Sequence, residues 1–239
     1  MIEMVRRFLR QKLDNPAIAV TLGALALMSS FPLALTGAGL KPTTFVALVV
    51  IAAGSVSKDA SSGALQMILV RPLRRTDYLF GRYLGILTAF GIFLLATILL
   101  GILISATILP ALHVQAAPLT FPTLVRGLAD SFLSAMLFCA AMVFYSTFLP
   151  GYGDAVAVFL VPVFLSVLGQ LGTGLQKPWM TRAFRVIDEN VVPEVNWEAV
   201  FQGQSPLGAP MGRWALALTC FLLAAALVFS KREFAYGQD

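Results

Sequence analysis

Long apolar runs alternate with short polar stretches along the 239-residue chain. Six runs approach the roughly 20 residues that a helix needs to cross a bilayer. They are residues 17–36, 43–57, 83–109, 128–149, 155–171 and 211–229. The second run is short, and the fifth contains Pro162, which neighbouring helices can accommodate within a membrane. The pattern predicts an all-α integral membrane protein with six transmembrane helices.

The first thirteen residues have a different pattern from the runs that follow. Ile2, Val5, Leu9 and Leu13 recur on one face of a helix, whereas basic residues crowd the opposite face. This amphipathic pattern predicts a helix lying in the headgroup layer, and an ordinary cytosolic extension is the alternative. Pro16 then stands where the first spanning helix is expected to begin, because proline is well tolerated at a first helical position.

The polar segment 58–82 lies between the second and third apolar runs. Leu65, Ile68 and Leu69 recur at helical spacing after residues that offer capping oxygens. Pro72 disfavours helix at the residue before it and ends this element after about two turns. The segment therefore predicts a short amphipathic helix that leads into a proline turn.

A second helix start follows at Thr76 and Asp77, and no breaker interrupts the chain before Pro110. A helix of that length would measure roughly 50 Å, against a hydrocarbon core of roughly 30 Å. We therefore expect the third spanning helix to project beyond the membrane. Gly81 and Gly85 form a small-xxx-small pattern near its start, which predicts close helix packing there.

Charged residues are scarce, at 12% of the chain, about half the share found in soluble domains. With six spans, both termini lie on one side of the membrane together with the 58–82 segment. That side holds eleven of the seventeen basic residues, namely Arg6, Arg7, Arg10, Lys12, Lys58, Arg71, Arg74, Arg75, Arg82, Lys231 and Arg232. The positive-inside rule places this side in the cytoplasm and the 172–210 loop outside the cytoplasmic (inner) membrane. The net charge of +5 then reflects topology and contact with anionic lipid, and not nucleic-acid binding.

Motifs for catalysis, nucleotide binding and metal binding are missing from the sequence. No G-x-x-x-x-G-K-[ST] occurs, and the lone His113 has no second metal ligand beside it. Cys139 and Cys220 fall within apolar runs and are expected to be small core residues. Arg126 and Asp130, one helical turn apart, are expected to form an exposed or interfacial pair. We expect neither catalysis nor a bound cofactor or metal on this chain.

The 58–82 segment resembles the cytosolic stretch between the second and third spans of permease subunits of the type-2 ABC exporters. That stretch reads as an acid, G-T-L, a leucine pair, a proline, an arginine and then G-K. The corresponding residues here are Asp59; Gly63, Ala64 and Leu65; Ile68 and Leu69; Pro72; Arg75; and Gly81 with Arg82. The six-span plan, the N-terminal helix and the large loop before the last span agree with this resemblance.

The resemblance implies that the helix from Ser62 to Arg71 is a coupling helix that docks on a separate ATPase subunit. The residues implied to couple are Asp59, Gly63, Leu65, Ile68, Leu69, Arg71, Pro72 and Arg75. It also implies that two permease copies pair, as a homodimer or a heterodimer, and that ATP and Mg²⁺ bind to the partner ATPases. Accessory envelope proteins are further expected partners, and the sequence leaves the substrate open. The alternative function is a non-transporting membrane subunit of an ABC-type complex that acts in envelope assembly, sensing or release.

Overall fold

A computed structural model of the chain describes residues 2–36, 41–57, 59, 75–114, 119–149, 152–174, 179, 182 and 208–231. These residues fold as helices and turns, without strands in the described ranges. The helices are α1 (Ile2–Leu13), α2 (Pro16–Thr36), α3 (Lys41–Ala52), α4 (Arg75–Ala111), α5 (Phe121–Ser146), α6 (Gly153–Gly174) and α7 (Gly208–Lys231). The all-α class predicted from the sequence is confirmed.

Four of the described helices are long and apolar enough to cross a membrane. These segments are Pro16–Leu35, Arg75–Ala111, Phe121–Ser146 and Met211–Lys231, in α2, α4, α5 and α7. They correspond to the first, third, fourth and sixth runs of the sequence. The other two predicted spans, 43–57 and 155–171, overlap α3 and α6 and stay predictions. A multi-pass membrane protein is thus established, whereas the number six is not.

The second apolar run is not one continuous helix, contrary to the expectation for 43–57. Helix α3 ends at Ala52, and Gly54 adopts a left-handed φ of 66°. Glycine takes this conformation without the steric cost that a side chain would add, and it commonly terminates helices. The 12 residues of α3 span about 18 Å, well short of the roughly 30 Å of a hydrocarbon core.

Local capping fixes the ends of α2 and α4. The Asn15 side chain accepts a hydrogen bond from the N–H of Ala17 at 3.1 Å, and α2 begins at Pro16 as predicted. Helix α4 has 37 residues and is about 55 Å long, which confirms the long helix expected after Thr76. It closes where His113 takes a left-handed φ of 54° and the Val114 N–H donates to the Leu109 carbonyl at 3.0 Å.

The described residues belong to two compact units. One is drawn from Met1–Ala52 and Phe80–Cys139, and the other from Ala53–Leu79, Ala140–Asn196 and Ser205–Asp239. The first unit contains α1, α2, α3, most of α4 and most of α5. The second contains the turn after α3, the first residues of α4, the last residues of α5, and both α6 and α7.

In the first unit, α2 packs along α4 through small residues. A methyl group on Gly101 would lie 2.9 Å from Cδ2 of Leu33, so the two helices approach closely at this point. Ala34, Ile104 and Leu109 continue the contact as a buried apolar cluster. Burial of these apolar side chains holds the end of α2 against the second half of α4, which lies toward the outer side in the predicted topology.

Helix α1 packs on α4 through Phe8, whose side chain is completely buried. The Phe8 ring lies over Gly85, where an added Cβ would be 2.9 Å from Cδ1 of the ring. The guanidinium carbon of Arg82 is 5.4 Å from the ring centroid, within the range of a cation–π contact, and Arg82 also donates to Gln11 at 3.3 Å. Phe8 lies outside the apolar stripe that the sequence pattern singled out, so this attachment was not predicted.

We predict that Gly85→Ala destabilises the protein by about 1–3 kcal/mol, because the new methyl group overlaps the Phe8 ring and α1 must shift. Chemical unfolding of the purified chain in detergent micelles measures the loss. Gly91→Ala is the matched control, since its new Cβ would lie 3.7 Å from Phe132, an ordinary contact distance. Both substitutions gain the same helix propensity, so equal stabilities of the two variants would contradict the proposed overlap.

Candidate functional site

Hydrogen-bonded polar groups, most of them buried, collect in the second unit beside Asp59 and at the start of α4. We call this set the anchor cluster. It consists of Gly54, Val56, Ser57, Asp59, Arg75, Tyr78, Ser146, Asp154 and Ser230. Its members come from the turn after α3, from the start of α4, from the end of α5, from the start of α6 and from the end of α7.

The turn after α3 is attached to the start of α6 by a carboxylate. The backbone N–H of Gly54 donates to Oδ2 of Asp154 at 2.9 Å, and Oδ1 of Asp154 accepts from the N–H of Ala155 at 2.8 Å. Asp154 lies in the first turn of α6, where the exposed N–H groups favour a negative group, and its side chain is 0% exposed. The buried carboxyl group therefore caps α6 and holds Gly54 at the same time.

The same turn is attached to the end of α5 by a hydroxyl group. Oγ of Ser146, the last residue of α5, accepts the N–H groups of Val56 at 3.1 Å and Ser57 at 3.0 Å. Backbone N–H groups in apolar surroundings need internal partners, since no water is available to replace them. Beyond the end of α3, the helical hydrogen bonds of α3 no longer pair these N–H groups. Ser146 and Asp154 supply the partners instead.

The first residue of the 58–82 segment that the structure describes is also held. The hydroxyl of Tyr78 donates to Oδ2 of Asp59 at 2.6 Å, and both side chains are buried. A short bond of this kind to a carboxyl group is stronger than a bond between two neutral groups. The Tyr78 ring stacks on Phe229 near the end of α7, with centroids 5.8 Å apart and planes at 16°.

Arg75 attaches the other end of the segment to α7. Its Nη1 donates to the Ser230 carbonyl at 3.0 Å. A cation suits the last turn of a helix, where carbonyl groups lack helical partners. Asp59 and Arg75 therefore fix the segment at both ends, one through a buried contact and the other through an exposed one.

The anchor cluster is built for attachment and not for covalent chemistry. Its hydrogen bonds join carboxyl and hydroxyl groups mainly to backbone N–H groups, which have no nucleophilic or acid–base role. The described ranges hold no group of three histidine, cysteine, aspartate or glutamate residues that could bind a metal ion. The arrangement joins the turn after α3 and the start of α4 to the ends of α5 and α7 and to the start of α6.

The structure brings two of the sequence-derived coupling residues together in this cluster, namely Asp59 and Arg75. Gly81 and Gly85 lie in α4 within the first unit, where Gly85 contacts Phe8. The other candidates lie outside the described residues and stay predictions. They are Gly63, Leu65, Ile68, Leu69, Arg71 and Pro72.

Sequence reasoning missed most of the anchor cluster. The apolar run 43–57 predicts one continuous span, which includes Gly54, Ser55 and Ser57. A glycine followed by two serines inside such a run is the signal that could have indicated a helix end. Tyr78 and Ser146 carry no comparable signal, because their partners are 19 and about 90 residues away in the chain.

Arg126 and Asp130, expected to form an exposed or interfacial pair, differ in their exposure. Asp130 is buried in α5, whereas Arg126 is exposed. The spacing of one helical turn places both on neighbouring positions of the helix, but it does not decide which of them faces other helices.

Long apolar helices joined by polar contacts at their ends define a multi-pass membrane protein. Residues 13–182, well over half of the chain, match the family described as ABC-2 family transporter protein. The chain belongs to this family. A comparison with curated proteins finds no match.

We predict that Tyr78→Phe lowers the free energy of unfolding by about 1–3 kcal/mol, because the buried Asp59 carboxyl loses its hydroxyl donor while the ring contact with Phe229 is kept. Tyr83→Phe is the control on the same helix, since that hydroxyl donates at 3.2 Å to the Met136 backbone carbonyl. Loss of this hydrogen bond should lower the free energy of unfolding by only about 0.5–1.5 kcal/mol. Chemical unfolding in micelles compares the two, and an equal or smaller effect at Tyr78 would refute the importance of the Asp59 contact.

Proposed function

We propose that this ABC-2 family chain is the permease subunit of an ATP-driven exporter, and that separate ATPase subunits drive it. Membership of the family supports the permease assignment. The sequence lacks a P-loop, which is consistent with ATP and Mg²⁺ binding to the partner subunits. A second permease copy, identical or different, would complete the translocation path, as the sequence resemblance implies.

The observation that carries this proposal is the double attachment of the 58–82 segment. A connection that merely links two spans has no need of buried polar contacts, since burying polar groups costs free energy unless each is paired. Here Asp59 makes a buried bond to Tyr78 at the start of α4, and Arg75 makes an exposed bond to the end of α7. The segment is therefore suited to receive force and to pass it to the helices that hold it.

The turn before the segment supports the same role. Gly54 bonds to the start of α6, while Val56 and Ser57 bond to the end of α5. Displacement of the segment would thus reach three helices of the second unit through contacts of about 3 Å. Closure of the ATPases would shift the permease toward a second conformation only if it binds that conformation more tightly. The ATPases would exert this difference in affinity between the two conformations through the 58–82 segment.

Orientation follows from the charges of the sequence. Basic residues concentrate on the side of the termini and of the 58–82 segment, which favours a cytoplasmic location for all three in the inner membrane. Any even number of spans lets both termini share that side, and six is the number that the sequence predicts. Helices α3 and α6 are the candidates for the two spans beyond the four long apolar helices.

We predict that Leu69→Asp and Pro72→Ala uncouple the permease from its ATPase. The first puts a charge on the apolar face of the expected coupling helix, and the second removes the turn that ends it. Coupling free energies of 1–3 kcal/mol correspond to about 5–150-fold effects, so stimulation of ATP hydrolysis by the permease should fall by about tenfold or more. The measurement uses the ATPase that co-purifies with the full-length chain, reconstituted in vesicles.

Leu112→Asp is the matched control, because Leu112 is also a large apolar residue that is 60% exposed but lies at the opposite end of α4. It should leave ATPase stimulation unchanged. The assignment of the segment is overturned if Leu69→Asp retains full stimulation or if Leu112→Asp loses as much. Failure of any ATPase to co-purify with the wild-type chain would count against the whole proposal.

A further inference from the structure

Helix α1 contacts α4 through the face that carries Phe8. Phe8 is buried against Gly85, and Gln11 and Lys12 flank it, with Arg82 bonded to Gln11 and Lys12 placed 5.8 Å from the Phe8 ring centroid. These three positions lie within about 60° of Phe8 around the helix, at 100° per residue. On the rest of the circumference, the exposed side chains are Ile2, Glu3, Arg6, Arg7 and Arg10.

The face opposite Phe8 is basic. Arg6 and Arg10 lie about 160° away from Phe8 around the helix, Arg7 lies about 100° away, and all three are exposed. Glu3 is the sole acidic residue of α1. The helix therefore presents three guanidinium groups against one carboxylate, which favours an anionic partner.

An apolar arc separates the docked face from the basic face on one side. Ile2 is 85% exposed, and Val5 and Leu9 are only partly covered. An apolar arc beside a row of arginines is the arrangement of helices that lie at a membrane surface, with the apolar side chains toward the acyl chains and the cations at the level of the phosphates.

The contact with α4 places α1 where such a surface would be. Arg82 is the last charged residue of α4, and no charged residue follows it from Tyr83 to Ala111. Phe8 therefore docks at the boundary between the polar start of α4 and its long uncharged part. In a membrane this boundary coincides with the headgroup layer, since uncharged apolar segments span the hydrocarbon core.

We propose that α1 is a binding surface for anionic phospholipid headgroups, which its arginines Arg6, Arg7 and Arg10 recognise. The occupant is lipid and not a soluble anion, because the exposed apolar arc beside the arginines binds acyl chains. Since Phe8 fixes α1 to α4, a bound anionic lipid also holds the polar start of α4 at the membrane surface. This binding requires neither ATPase nor transported substrate, so its test is independent of the proposed function.

The test follows anionic lipid binding by the full-length chain in a non-ionic detergent. A polarity-sensitive fluorophore is attached through Ile2→Cys in a Cys220→Ser background, because Cys220 is exposed whereas Cys139 is buried. The labelled protein is titrated with phosphatidylglycerol, with phosphatidylcholine or with inorganic phosphate. We expect phosphatidylglycerol to reach half-saturation at a concentration about tenfold or more below that of phosphatidylcholine. Phosphate alone should give no response.

Substitution of the arginines by glutamine tests their role. Each arginine near an anionic surface accounts for about a fivefold preference, so the triple variant Arg6→Gln, Arg7→Gln, Arg10→Gln should bind both lipids alike. The triple lysine variant keeps the charge and should keep the preference. If the triple glutamine variant does not fold, Arg10→Gln alone should reduce the preference by about fivefold.

A matched control uses exposed arginines elsewhere. Arg126→Gln with Arg213→Gln removes two positive charges from α5 and α7 and should leave the lipid preference unchanged. The proposal is overturned by equal affinity of the wild type for the two lipids, by a preference that survives loss of all three arginines, or by an equal response to phosphate. A loss of preference in the control pair, as large as in the α1 variants, would overturn it as well.

Discussion

The second unit depends on how the backbone N–H groups beyond α3 find hydrogen-bond partners. Helix α3 ends at Ala52 inside an apolar run, so the groups that follow lose the ladder that a continuous helix would give them. An unpaired N–H in such surroundings costs several kcal/mol, and the chain avoids this cost with two side chains, Asp154 and Ser146. Both lie at helix ends that this requirement brings next to the turn. The position of α6 and the end of α5 relative to the 58–82 segment follows from it.

The rest of the anchor cluster pairs polar groups of the 58–82 segment in the same way. Asp59 is buried and is satisfied by Tyr78, while Arg75 satisfies a carbonyl at the end of α7. Each contact pairs a polar group of the segment with a helix end or with a buried side chain, and none of them is required for membrane insertion. A permease in which a peripheral subunit moves this segment needs such connections, because an unattached loop would absorb the displacement.

Much of the helical plan could be predicted from the sequence. Residue spacing predicted α1, Pro16 predicted the start of α2, and the absence of breakers after Thr76 predicted the length of α4. These features depend on residues within one or two turns of each other. The end of α3 was missed because the side chains after Ala52 remain small or apolar, so hydropathy changes little where the backbone turns.

Contacts between residues far apart in the chain could not be predicted from a single sequence. Phe8 and Gly85 are 77 positions apart, and neither belongs to a pattern that names the other as its partner. Period analysis assigned Ile2, Val5 and Leu9 to the apolar stripe and left Phe8 outside it. The structure explains the difference, since Phe8 contacts a protein helix on one face of α1 while Ile2 on another face is exposed. Amphipathic periodicity with a single apolar face cannot represent both.

The bond between Asp59 and Tyr78 places different constraints on these two residues and on the residues between them. It closes a loop between positions 19 apart in the chain, and its ends are fixed by the membrane helices whatever lies between them. Lengthening a loop with fixed ends is thermodynamically mild, since a doubling costs only about 0.6 kcal/mol. On the ground of loop closure alone, the bond between Asp59 and Tyr78 can therefore stay as it is when the number of residues between them changes.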